Sequence, residues 1–171
     1  VDEPIKIGNW EPKNYTGRYL GPITLQTALA QSINTVAARL ANEVGTGRVA
    51  ETAHRLGITS PIQTDPSMAL GAVDVSPLEM AQAYDAFANG GFRARAYGIE
   101  RIRTAAGRVL YDHSVGRTPR AAVIGTPALQ YMNQMLRQVV IAGTGTRARV
   151  PGYDLAGKTG TTSDYRDALF V

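Results

Sequence analysis

Apolar residues recur at three- and four-residue spacing in several stretches that each stop at glycine, which commits much of the chain to short helices. From Thr24 the spacing puts Leu25, Ala28 and Leu29 on one side of a helix, with an interruption at Gln31-Ser32-Ile33-Asn34. Asn34 is suited to N-cap a second helix, in which Val36, Ala37, Leu40, Ala41 and Val44 recur before Gly45. Ser32 therefore falls in a helix-to-helix junction. A third helix is expected over 48–56, ended by Gly57, and a polar loop with Pro61 and Pro66 follows. Ser76-Pro77-Leu78-Glu79 combines a capping box with proline at the first helical position, and Gly90-Gly91 is the matching stop. Thr126-Pro127 opens the longest helix, through Leu129, Met132, Met135, Leu136 and Val139 to Gly143.

Strand character is confined to fewer places. The opening 1–21, with two prolines and the only tryptophan, reads as an irregular lead-in with short extended pieces. Residues 99–104 interleave two isoleucines with charged residues, Ala105-Ala106-Gly107 turns the chain and 108–111 returns, a two-stranded ribbon with its arginines in water. After Gly143-Thr144-Gly145, the stretch 153–162 is too rich in glycine and threonine for a helix and is expected to be a strand, with another starting at 167–171. No internal repeat is visible.

At 171 residues the chain fits one domain with a sizeable core, and 44% apolar against 19% charged residues rules out low-complexity disorder. No apolar run approaches the roughly 20 residues that span a bilayer, and the first residues lack the basic-then-apolar order of a signal peptide, so any targeting segment is expected outside this chain. With no cysteine, disulfides, zinc-thiolate sites and cysteine nucleophiles are excluded together. The net charge of +4 comes from 15 Arg and three Lys, seven of the Arg between Arg93 and Arg120. Aromatic interleaving and a reading helix are missing around them, so they are expected to be a solvated face and no nucleic acid is expected as partner. His54 and His113 share no metal-ligand spacing; neither metal nor cofactor is expected.

Two triplets can carry chemistry, Ser32-Ile33-Asn34 at the junction and Lys158-Thr159-Gly160 on the late strand. S-x-N and K-T-G are two of the three elements of the serine acyltransferases, the third being S-x-x-K with the nucleophile. None of the six serines meets that third test, since Thr35, Gln63, Leu70, Glu79, Arg117 and Arg166 stand three residues after them. A competing pattern overlaps the second triplet: Gly152-Tyr153-Asp154-Leu155-Ala156-Gly157-Lys158-Thr159 satisfies G-x-x-x-x-G-K-[ST] letter for letter. A phosphate-cradling loop must leave a buried strand and open a helix, whereas Pro151 interrupts any strand leading in and Gly160-Thr161-Thr162-Ser163 is a poor first helical turn. Nucleotide binding is kept only as an alternative, beside a non-catalytic interaction module.

Longer stretches carry a family resemblance. Trp10-Glu11-Pro12-Lys13-Asn14-Tyr15 and Gly21-Pro22-Ile23-Thr24-Leu25, leading into Ala28-Leu29-Ala30-Gln31-Ser32-Ile33-Asn34, resemble the approach to the S-x-N element in bifunctional class A penicillin-binding proteins. Met68-Ala69-Leu70-Gly71, Ser76-Pro77-Leu78-Glu79-Met80-Ala81 and Ala88-Asn89-Gly90-Gly91 are similar to that family's middle region. Gly143-Thr144-Gly145 and the run from Ala156 through Lys158-Thr159-Gly160-Thr161-Thr162 to Ser163-Asp164-Tyr165-Arg166-Asp167-Ala168 resemble its K-T-G strand and the turn beyond. Ile33, where class A β-lactamases carry aspartate, sets the chain apart from those hydrolases.

The resemblance implies an α+β fold, a central antiparallel sheet flanked by helices, incomplete in this chain. Residues 1–171 would be part of one transpeptidase domain: 1–22 the lead-in, 23–92 the helical region with S-x-N, 93–125 the basic ribbon and loop, 126–171 the helix and K-T-G strand. The S-x-x-K helix is expected upstream of residue 1 and further strands and a last helix after Val171, so the isolated chain is expected to be inactive. The implied activity is D,D-transpeptidation of peptidoglycan stem peptides ending in D-Ala-D-Ala, with β-lactams as mimics. Ser32 would relay a proton, Lys158 would bias its hydrogen bonding and attract the terminal carboxylate, and Asn34 would hold the donor's peptide carbonyl and the missing lysine. Thr159 and Thr161, with Gly160 between them, would bind that carboxylate, and the Thr161 N–H would be an oxyanion-hole donor. Implied partners are the stem peptide, β-lactams, the rest of the domain and an upstream glycosyltransferase domain. The implied location is extracytoplasmic, with an anchor to the cytoplasmic membrane in a segment outside this chain.

Overall fold

The computed structural model describes residues 1–115, 120–161 and 168–171. The helices are α1 (Leu25–Ala30), α2 (Asn34–Val44), α3 (Thr46–Leu56), α4 (Pro77–Ala88) and α5 (Thr126–Ala142), with 3-10 turns at Pro66–Leu70 and Thr146–Ala148. Two separate antiparallel pairs complete them: β1 (Arg101–Arg103) with β2 (Val109–Asp112), and β3 (Thr159–Thr161) with β4 (Ala168–Phe170).

The helix core centres on α5, whose Leu136, Val139 and Val140 are buried. Against it and one another pack Ala28 and Ala30 of α1, Val36, Ala38 and Ala41 of α2, Ala50 of α3, and Ala83 and Ala86 of α4. Alanine dominates this set, so backbones come close, and glycine becomes obligatory where they touch. An added Cβ on Gly143, the residue ending α5, would stand 2.2 Å from the Ala30 carbonyl oxygen.

The α4 capping box forms as its sequence predicts: Ser76 Oγ accepts from the Glu79 N–H and Glu79 reaches back to Ser76. The ribbon also forms, with Arg101 opposite Asp112 and Ile102 opposite Tyr111, and an irregularity before Arg103. Its arginines are exposed, and Arg101 pairs with Asp112 at 2.6 Å.

Three expectations need correction. Asn34 does not N-cap α2. Ile33 holds the cap position with φ −77° and ψ 110°, and Asn34 is the first helical residue, its Nδ2 donating to the Lys13 carbonyl at 2.9 Å. The cap comes from far along the chain instead, since Asn14 Oδ1 accepts the Thr35 N–H at 3.2 Å. The strand expected over 153–162 is short, Thr159–Thr161. Ahead of it the chain turns at Pro151-Gly152 and crosses α5, held by Arg137 on Asp154 and by the Gly157 N–H on the Leu136 carbonyl. The polar loop after α3 contains the unforeseen turn Pro66–Leu70, capped by Asp65. Thr162, the run Ser163-Asp164-Tyr165-Arg166-Asp167, the strand start at Asp167, and Arg117 of the basic cluster lie outside the described residues.

The lead-in is irregular, as expected, but well anchored. Asp2 and Gly21 exchange backbone hydrogen bonds of 2.8 and 3.0 Å. The buried Asp2 carboxylate accepts from Thr35 Oγ1 at 2.5 Å, Asn14 Nδ2 at 2.7 Å and the Leu20 N–H at 2.8 Å. Burial pushes its pKa up, and these hydrogen bonds together outweigh it and hold the group below its ordinary value.

Candidate functional site

Ser32 owes its position to the way α1 ends. The Ser32 N–H donates to the Leu29 carbonyl at 3.2 Å and the Ile33 N–H to the Ala28 carbonyl at 2.9 Å, the paired bonds of a Schellman ending. That ending needs a left-handed residue, usually glycine, and here it is Ser32 at φ 56°. Among the described residues no other non-glycine has positive φ. A serine there carries strain of about 1–2 kcal/mol and gains an exposed hydroxyl at the junction of two helices.

Lys158 comes from the other side of the chain. Its backbone pairs both ways with Val171, at 2.9 and 3.1 Å, which fixes it as the residue leading into β3. Gly157 behind it is buried; an added Cβ would lie 2.5 Å from both the Phe170 ring and the Val171 carbonyl oxygen. The lysine is thus pushed forward by a close sheet contact. Its Nζ donates to Ser32 Oγ at 2.9 Å, to the Thr159 carbonyl at 3.0 Å and to Thr159 Oγ1 at 3.3 Å, one acceptor for each ammonium proton. Burial lowers the Lys158 pKa from its ordinary value.

The register of β3 decides what its edge offers. Lys158 and Val171 form a hydrogen-bonded pair, so alternation makes Gly160–Leu169 the next one and leaves Thr159–Phe170 and Thr161–Ala168 unbonded pairs. The backbone N–H groups of Thr159 and Thr161 therefore point away from β4, and their hydroxyls share one face. An added Cβ on Gly160, on the opposite face from the two threonines, would meet nothing within 4 Å among the described residues. Thr159 Oγ1 also lies 2.6 Å from Thr144 Oγ1 in the turn after α5.

Of the residues singled out from sequence, Ser32, Lys158 and Thr159 are joined by direct hydrogen bonds, and Gly160 and Thr161 continue the same strand. Asn34 stands two residues beyond Ser32, at the start of α2, and its Nδ2 donates to the Lys13 carbonyl rather than reaching Lys158. An ammonium, a hydroxyl and two outward N–H groups on one wall can bind an anion and pass a proton. Sequence reasoning missed the weight carried by Thr144 and Gly143; both lay inside a quoted triplet, but nothing in the local pattern indicated contact with Ala30 or Thr159. It also missed Thr59 and Ser60, which join Ser76 in donating to both oxygens of Glu79, at 2.7 to 2.9 Å.

Other candidate features are placed elsewhere. His54 Nδ1 meets the Ile58 carbonyl at 2.8 Å and His113 stacks on Tyr97 at 3.6 Å, both structural contacts. Among the described residues, no three His, Asp or Glu gather as a metal site would require. A groove beside Lys6, Glu11 and Tyr19 and another beside Val140, Arg149 and Tyr153 are surface concavities that Ser32 and Lys158 do not line. The phosphate-loop pattern fails in the fold, because its lysine leads into the strand β3 and its threonine begins it, where a phosphate loop would begin a helix.

Comparison with known proteins agrees with this geometry. Residues 1–168 match the family described as the penicillin binding protein transpeptidase domain. Penicillin-binding protein 1A of Aquifex aeolicus is 40% identical over 170 residues, 99% of this chain and 23% of that protein. Penicillin-binding protein 1A of Neisseria lactamica is 40% identical over 168 residues, and the chain spans 21% of its length. Among solved structures, penicillin-binding protein 1A from Haemophilus influenzae superimposes with a TM-score of 0.86 at 28% identity, covering 99% of this chain and 31% of that one. The chain therefore spans about a fifth to a third of these relatives. The family match runs across both triplets and the lead-in alike, and with the fold it establishes that the chain belongs to the penicillin-binding protein transpeptidase domain family.

Proposed function

We propose that residues 1–171 are part of one transpeptidase domain and supply the S-x-N and K-T-G walls of a serine D,D-transpeptidase site. The substrate would be a peptidoglycan stem peptide ending in D-Ala-D-Ala, and β-lactams would react as its mimics. The observation that carries this reading is the 2.9 Å contact from Lys158 Nζ to Ser32 Oγ across 126 positions of sequence. In this reading the nucleophilic serine and its lysine come from an S-x-x-K segment outside these residues, because none of the six serines here has a lysine three residues on.

The division of labour follows from hydrogen-bond capacity. The Lys158 ammonium can only donate, so Ser32 Oγ accepts from it and keeps its own proton and one lone pair. When the nucleophile's oxygen bonds to the D-Ala carbonyl carbon, the proton it loses travels through its lysine and the Ser32 hydroxyl to the leaving nitrogen, as the C–N bond breaks. The outward N–H of Thr161 faces the developing oxyanion, and the Thr159 and Thr161 hydroxyls, beside the Lys158 charge, hold the terminal carboxylate. Asn34 tethers the lead-in through Lys13 with one amide proton and retains a second for the donor's peptide carbonyl. The remaining partners in this proposal are the rest of the domain and an upstream glycosyltransferase domain, on the extracytoplasmic side of an anchored protein. Among the described residues no helix is long and apolar enough to cross a membrane.

The test uses the full-length protein and a fluorescent penicillin. Ser32→Ala and Lys158→Ala should each slow acylation by roughly 100- to 10,000-fold, the range of a lost acid–base partner. Peptide mapping should find the adduct outside residues 1–171. Acylation at the parent rate in both variants, or an adduct on Ser32, refutes the proposal.

A further inference from the structure

Thr159 Oγ1 has two neighbours with opposite consequences. Lys158 Nζ stands 3.3 Å away and has no lone pair, so it donates into Thr159. Thr144 Oγ1 stands 2.6 Å away and can either donate or accept. A hydroxyl has one proton and two lone pairs. If Thr159 gives its proton to Thr144, it has only a lone pair left for a third partner and repels an anion. If Thr144 gives its proton to Thr159, both lone pairs of Thr159 are occupied, and its single proton is left to point at the anion.

Thr144 is held firmly enough to make that choice matter. Its N–H donates to the Ala30 carbonyl at 3.0 Å, two residues before Ser32, and the N–H groups of Gly143 and Gly145 both donate to the Val139 carbonyl, at 3.1 and 3.0 Å. Gly143 is pressed so closely on Ala30 that a Cβ would stand 2.2 Å from its oxygen. One residue therefore touches the element bearing Ser32 through its backbone and the strand following Lys158 through its side chain. We propose that Thr144 is a positioning residue, which donates its hydroxyl proton to Thr159 and thereby makes Thr159 a committed donor to the substrate's terminal carboxylate. This rests on the transpeptidase reading of Thr159, and it adds a determinant of specificity for substrates that end in a free carboxylate.

The experiment compares benzylpenicillin with its methyl ester, which lacks the carboxylate charge, as acylating agents for the full-length protein. Thr144→Val removes the hydroxyl at nearly constant volume. It should lower the second-order acylation rate constant for benzylpenicillin about tenfold or more, while the ester reacts with parent and variant at rates within about twofold of each other. Thr144→Ser keeps a hydroxyl and should restore most of the benzylpenicillin rate. In a Thr159→Val background, Thr144→Val should cost little further, because the proton it directs is gone. An equal loss toward acid and ester would make Thr144 merely structural and overturn the proposal, as would a failure of Thr144→Ser to restore the rate. Failure of the underlying reading looks different: there, Ser32→Ala and Lys158→Ala themselves leave benzylpenicillin acylation unchanged.

Discussion

Replacing Gly143 by alanine tests whether the two walls of the site are spaced by backbone contact. Gly143 has φ −111° and ψ −154°, an extended conformation open to any residue, so alanine would meet no conformational penalty. The penalty is steric: the new Cβ would lie 2.2 Å from the Ala30 carbonyl oxygen, 2.8 Å from its carbon and 2.9 Å from the Val139 Cα. All three are backbone atoms, so no side chain can swing away. An ordinary carbon–oxygen contact lies about 1 Å further out, and gaining it moves the end of α1 or the turn after α5. Overpacking of this kind costs about 2–3 kcal/mol, roughly 5–10 °C in Tm for a domain of about 150–250 residues and less for a larger one. Because Ala30 also accepts the Thr144 N–H and lies two residues before Ser32, the movement should stretch the 2.9 Å bond from Lys158 to Ser32 and slow acylation by penicillin as well. Gly47→Ala is the control. It lies in α3, where an added Cβ meets nothing within 4 Å, and it should raise stability by about 0.5–1 kcal/mol through helix propensity alone. Thermal unfolding and penicillin-labelling rates of the full-length variants decide the matter. A Gly143→Ala protein with the parent's Tm and labelling rate would refute the spacing argument.

Two further outcomes depend on protonation. Burial lowers the Lys158 pKa from 10.5, so the rate of acylation should fall on an alkaline limb below that pH. Lys158→Arg, retaining part of the activity, should carry that limb to higher pH, because a guanidinium stays charged; identical limbs in pH–rate profiles would count against the role. For folding the direction is the reverse: between the lowered pKa and 10.5 the unfolded chain binds more protons, so Lys158's contribution to stability rises with pH. Glu79 shares that direction, but in the acid range. The Ser76 N–H first, then the Thr59 and Ser60 hydroxyls and the Thr59 N–H, hold its carboxyl well below the ordinary carboxylate range. Its contribution to stability is therefore present above pH 4.5 and lost as pH falls below that value. Glu79→Gln places an amide among donors and should lower Tm at pH 7, with the gap to the parent closing on acidification; a gap independent of pH would show that ionisation is not what the loop around Thr59 reads.

What was legible in the sequence was local. The Ser76 to Glu79 box, the proline and glycine punctuation of α4 and α5, and the turn between β1 and β2 are set by side chains within four residues of one another, and they stand where the pattern puts them. The joining of Ser32 to Lys158 was legible only through the ordered pair of triplets, because 126 positions separate them and periodicity says nothing at that range. Where the reading failed, a distant partner had displaced a local one. Asn34 has the right side chain for an N-cap, but Asn14, 21 residues before Thr35, takes the Thr35 N–H and frees Asn34 to bond Lys13. The stretch before Lys158 has strand composition, yet the Tyr153 N–H closes a turn on Val150 and the Gly157 N–H goes to Leu136 of α5, so the ladder starts only at Lys158. The Asp2, Asn14 and Thr35 cluster left no trace, since its members share neither period nor motif.

The strain at Ser32 connects these observations. A Schellman ending would be most easily made with glycine, and a serine there gives up about 1–2 kcal/mol of backbone energy. Nothing in the packing of α1 on α5 calls for a hydroxyl at that point, because Ser32 is exposed and its side chain meets Lys158. The surroundings instead hold the junction in place: α2 begins two residues later with its first turn capped by Asn14, and Ala30 is locked to Thr144. Strain of this sort persists where neighbouring structure over-determines a conformation, and such positions cluster at functional sites. A surface cap would have no need of so much support. A hydroxyl that must meet an ammonium on a separate strand, without a flexible side chain to search for it, does. The left-handed backbone at Ser32 and the crowded glycines at 143 and 157 are then parts of one arrangement, in which both walls of the site are set by backbone contacts and only the short polar tips between them remain free to move protons.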